Sequence, residues 1–167
     1  MLDELLNILL NEDELGAVIR SHIFIEQHID HFLSIAVSNP DYLDKINIDF
    51  SNKIKLAVAL GMNEEVYKPL NAITNIRNKF AHRADTQLDK SQINNFYKSF
   101  TPEDQNGIQE IITNNPDGPK SLAKKFSLLS IKEQFVVMVI LLAIRVQHEL
   151  TIELEYMLKQ VDEDSDA

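Results

Sequence analysis

Ten consecutive apolar residues, Phe-Val-Val-Met-Val-Ile-Leu-Leu-Ala-Ile, occupy positions 135–144. A helix through this run has no polar face, so neighbours must cover it on several sides. Ser130 and Glu133 stand just before it in the spacing of a capping box, which marks a helix start. The pattern predicts a helix from there to about Gln160, placed at the centre of a bundle or in an interface between two copies. A membrane span needs about 20 apolar residues, so the run reads as a core segment and no membrane partner is expected.

The rest of the chain repeats this helical pattern. Leucines at 2, 5, 6, 9 and 10 form one stripe. A long helix is predicted over 13–38, ended by Asn39-Pro40, because the residue before proline avoids helical geometry. Asp49-Phe50-Ser51 opens another and Gly61 stops it. Asn63 caps the next segment, and helical spacing continues from Pro69 to about Arg83. Asp89 caps a helix to Ser99, and Thr101-Pro102-Glu103 starts one to about Thr113. Asn114-Asn115-Pro116-Asp117-Gly118-Pro119 is a loop. With only four glycines and five prolines to break it, the chain is expected to be all-α, a single-domain multi-helix bundle over 1–160. An acidic, disordered tail is expected over 161–167.

The absence of cysteine excludes disulfides, zinc-thiolate sites and cysteine nucleophiles. The start, Met1-Leu2-Asp3-Glu4-Leu5, lacks the basic stretch of a secretory signal, and a cytoplasmic location is expected. Net charge is −10. DNA binding draws its affinity from cations that neutralise phosphates, so direct operator binding is not expected of such a chain.

One segment departs from the apolar pattern: Arg77-Asn78-Lys79-Phe80-Ala81-His82. Arginine holds phosphate or carboxylate with paired hydrogen bonds, and histidine moves protons near neutral pH. At about 100° per residue, Asn78 and His82 share a face while Arg77 and His82 diverge by about 140°. Two readings stand open. In one, Arg77, Asn78 and His82 act on a phosphodiester without metal: histidine as acid or base, arginine neutralising the phosphate, asparagine orienting either. In the other, Arg77 pairs with an acid of a neighbouring helix and His82 satisfies the last carbonyls of its own. Lys53, Lys55, Lys79 and Arg83 are candidates to line a basic groove beside them, with a solvated face as the alternative.

Arg77 followed by Asn78, with histidine five positions after the arginine, resembles the R-x4-H motif of the HEPN superfamily. That resemblance implies a helical bundle, often dimeric, and a metal-independent ribonuclease whose site would map to Arg77, Asn78 and His82. Phe50-Ser51-Asn52-Lys53-Ile54-Lys55-Leu56-Ala57-Val58-Ala59-Leu60-Gly61, followed by Ile76 to His82, is similar to the core of the mannitol operon repressor family. The likeness covers roughly 17–100. It implies a small all-helical bacterial protein of transcriptional regulation, without a helix-turn-helix, expected to be a homodimer that acts through a protein partner. RNA is the partner under the ribonuclease alternative. No cofactor or metal is expected. His22, His28 and His31 share one helix but lack a third ligand at metal spacing and read as solvated. Lys120, Lys124 and Lys125 are too sparse for a nucleic-acid surface. Arg145 and His148 either pair with acids or mark where the last helix leaves the core.

Overall fold

Side-chain acceptors sit where helices begin, because the first N–H groups of a helix have no partner within it. Asp13 Oδ1 accepts from the Gly16 amide at 2.6 Å and Asp49 Oδ1 from the Asn52 amide at 2.9 Å. Asp89 and Gln92 cap each other's backbone reciprocally, as do Ser130 and Glu133. The computed structural model describes residues 2–43, 45–82, 86–113 and 125–165, with side chains to 159. The helices are α1 (Leu2–Asn11), α2 (Glu14–Ala36), α3 (Phe50–Ala59), α4 (Tyr67–His82), α5 (Lys90–Ser99), α6 (Pro102–Thr113) and α7 (Ile131–Ser165). Among the described residues there is no strand, so the chain is an all-α bundle.

Gly61 ends α3 as expected. Its φ of 117° lies in the left-handed region that side chains disfavour. The turn lets the Met62 amide reach back to the Ala57 carbonyl (3.0 Å) and the Gly61 amide to Val58 (3.1 Å). Met62 is thereby buried. Pro40 opens a short 3-10 turn, Pro40–Tyr42, and Asn63 caps another, Glu64–Val66.

α2 and α7 lie side by side and run in the same direction. Lys132, at the start of α7, donates to the Leu10 and Glu12 carbonyls, while Gln147 meets His28 further along both helices. α1 and α6 also pack on α7, α3 and α4 cover α2, and α5 bridges α4 to α7. Residues 135–143 are all buried within one chain. The apolar run is therefore a central helix and needs no second copy to cover it. By length and composition Ile131–Lys159 passes for a membrane span, but 67% of its apolar window is buried by the bundle. Phe96 lies 6.0 Å from Phe135 and 5.2 Å from Phe100, ring centre to ring centre.

α7 passes the expected end at Gln160 and stays helical to Ser165, so most of the expected tail is helix. Residues 166–167 lie outside the described residues, as do the expected loop at 114–119, Lys120, Lys124 and Arg83.

Candidate functional site

Leu70, Ile73, Ile76 and Phe80 form the buried stripe of α4, and this stripe sets where its polar residues point. Arg77 is half-buried at the edge of the stripe and donates from Nη1 to Asn78 Oδ1 at 3.2 Å. Among the described residues no carboxylate pairs with it. Its guanidinium faces α2, close enough to His22 to disfavour that ring's protonation. His82 is exposed. With Asn75, Asn78, Lys79, Gln87 and Asn95 it lines an open groove of about 890 Å³ between α4 and the start of α5. α4 runs unbroken through His82, so the offset of about 140° round the helix persists. Asn78, Lys79 and His82 line one groove, and Arg77 connects to them through its hydrogen bond to Asn78.

The basic residues expected around Arg77 are also dispersed. Lys53 reaches Asp30 at 2.8 Å and Glu26 at 3.0 Å. Partial burial of its ammonium, which alone lowers the pKa, is outweighed by these hydrogen bonds and charges, and the pKa rises. Lys55 bonds to Asn52 and faces a different cleft, against the α4 and α5 lysines. Among the described residues of this set, Lys79 alone shares a groove with His82.

The three histidines of α2 are not all solvated. His31 is exposed. His28 donates from Nδ1 to the Phe24 carbonyl at 2.8 Å, which leaves Nε2 to accept from the Gln147 amide at 3.2 Å. His22 is buried, with its ring centre 4.4 Å from that of Phe50. The cause is packing: α3 docks across α2 at this point, which spacing along one helix does not reveal. Among the described residues no group of three ligands is placed to hold a metal.

Burial pushes the His22 pKa below its ordinary value of 6.5. Glu26, 3.6 Å from Nδ1, opposes this shift, and Arg77 and Lys53 add to it. The folded chain therefore binds a proton at His22 less readily than the unfolded chain. Stability from this group is complete above pH about 6.5 and declines as pH falls from there through the folded pKa. Denaturant titrations of wild type and His22→Leu between pH 7.5 and 5 check this. The wild type is expected to lose stability relative to the variant on acidification, and a pH-independent difference would contradict the assignment.

Two further constellations are tertiary. Arg145 lies on α7 with Nε 3.4 Å from the Asp104 carboxylate of α6 and Nη2 3.3 Å from Glu65. Asp104 is buried, and so is Glu149, which accepts the Asn63 amide at 3.0 Å. Arg145 thus pairs with acids inside the chain, while His148 is exposed.

The second constellation is the end of α7. Ala143, Val146 and Leu150 are buried, and Leu154 and Met157 continue the same stripe at i+4 and i+3 beyond the bundle. Leu154 and Met157 are 39% and 38% exposed, and Ile152, Tyr156 and Leu158 stand at 48%, 57% and 65%. Glu153 and Glu155 are interleaved with them. The sequence carried this signal in the apolar residues that continue past Arg145.

No protein-family model matches this chain, and neither a curated protein nor a solved structure shows significant similarity to it.

Proposed function

We propose that this chain is a regulatory protein that works by binding another protein through the exposed end of α7. The observation that carries the reading is a core stripe that runs off the bundle, with Leu154, Met157 and Leu158 exposed among the described residues. Large apolar side chains exposed together on one element are a mark of interaction surfaces. Past Leu150 the segment holds Glu153, Glu155, Asp162, Glu163 and Asp164 against a single base, Lys159. Charge complementarity therefore calls for a basic amphipathic helix, with apolar residues at helical spacing and lysine or arginine around them. Two copies of this segment laid together would oppose acid to acid. The homodimer implied by the family resemblances would use another face. The resemblance of 50–61 and 76–82 to the mannitol operon repressor family supports a regulatory role.

The test uses a synthetic leucine/lysine amphipathic peptide and its leucine/glutamate counterpart, titrated by fluorescence anisotropy. The lysine peptide is expected to bind, and Leu154→Asp/Leu158→Asp to weaken it at least about tenfold. Both positions are exposed, so the fold is retained. Equal binding of the glutamate peptide, or a dimer in sedimentation that the double variant dissociates, would overturn the reading. RNA incubated with the chain in EDTA is expected to stay intact. Cleavage that His82→Ala abolishes would replace this function by the ribonuclease alternative.

A further inference from the structure

A cleft of about 750 Å³ opens where α3, α4 and α5 meet the start of α6. Each of three helices sends one lysine to it: Lys55 from α3, Lys68 from α4 and Lys98 from α5. All three are exposed, and among the described residues none forms an ion pair. Lys55 makes only a 3.3 Å bond to the Asn52 amide oxygen. The contrast with Lys53 is informative: two positions away, that ammonium is held by two carboxylates. A chain of net charge −10 has acids to spare, yet among the described residues no carboxylate pairs with these ammoniums.

Two carboxylates do reach the cleft, Glu64 and Glu65. Glu65 lies 3.3 Å from Arg145, which also pairs with Asp104, so its charge is offset in part, and three ammoniums face two carboxylates. The lining is thus positive on balance. Thr101 and the first turn of α6 stand at the same place. The Thr101 hydroxyl oxygen already accepts the Asp104 amide at 3.1 Å, which leaves its proton to donate outward. The positive end of the α6 dipole points the same way as the lysines, and Glu103 and Asp104 in that turn offset part of it. Tyr67 and Val58, both partly exposed, supply apolar surface beside these charges. Lysine serves phosphate as a mobile point charge, and ammoniums arriving from three directions suit an anion with oxygens on several sides.

From this arrangement we infer that the cleft binds a small phosphorylated molecule carrying an aromatic or apolar group, with Lys55, Lys68 and Lys98 on the phosphate and Tyr67 and Val58 against the rest. This inference stands independently of the α7 surface, which lies beyond Leu150. Phenyl phosphate and inorganic phosphate are suitable probes, because they share a charged head and differ in the ring. Titrations followed by amide chemical shifts of the full chain are expected to show saturable shifts around Tyr67, Lys98 and Thr101. Phenyl phosphate is expected to bind several-fold tighter than inorganic phosphate. Lys68→Ala/Lys98→Ala is expected to lose at least about tenfold in affinity, and Lys159→Ala to behave as wild type. Absence of saturable shifts at this cleft, equal affinity for the two probes, or unchanged binding by the double lysine variant would overturn the inference.

Discussion

A Phe135→Ala variant is expected to unfold with about 3–5 kcal/mol less free energy than wild type. The ring is fully buried at the start of the central run of α7 and packs against Phe96 of α5. Removing it deletes apolar surface and leaves a cavity. Helices on several sides hold the walls of that cavity apart, so collapse recovers little. Urea denaturation at two protein concentrations checks both the size and the origin of the effect. The loss should be the same at each concentration, because the run is covered by its own chain. A cost below about 1 kcal/mol would contradict the central position of α7. By contrast, Leu154→Ala on the projecting end of the same helix should change stability by no more than about 0.5 kcal/mol.

The second large effect is electrostatic. Arg145→Leu leaves the buried Asp104 carboxylate without its cation, and Glu65 loses the same partner. Breaking a buried pair from one side costs about 3–5 kcal/mol. Because the arginine side chain keeps 28% of its exposure, water compensates part of this, and about 2–3 kcal/mol is expected. Adding Asp104→Leu to that variant should recover most of the loss, since an apolar pair of similar volume has no charge to desolvate. The double-variant cycle by denaturant titration reads the coupling directly. A single Arg145→Leu variant as stable as wild type would show that the pair braces nothing.

Helix boundaries were readable in advance because caps are local chemistry. Asp49, Asn63, Asp89 and the Ser130/Glu133 pair each satisfy amides within a few residues of themselves, and Gly61 supplies a backbone angle that depends on no distant neighbour. The far end of α7 was less legible. Nothing in the spacing after Gln160 stops a helix, and the acidic composition suggested a tail where the backbone remains helical to Ser165.

The candidate site divides along the same line. The angular offset between Arg77 and His82 follows from the helix repeat. Which neighbours each would meet did not. His22 read as solvated because its burial comes from α3, and Lys53 read as groove-lining because its carboxylate partners lie on α2.

By itself the sequence determined that this chain is helical, where most helices begin, and that residues 135–144 must be enclosed, since periodicity and capping act over one or two turns. Only the tertiary structure decided that α7 is enclosed by its own chain, that Arg145 faces Asp104, and that lysines from α3, α4 and α5 share one cleft. These depend on how helices distant in sequence settle against one another, and that is set by the fit of many side chains at once rather than by any short-range pattern.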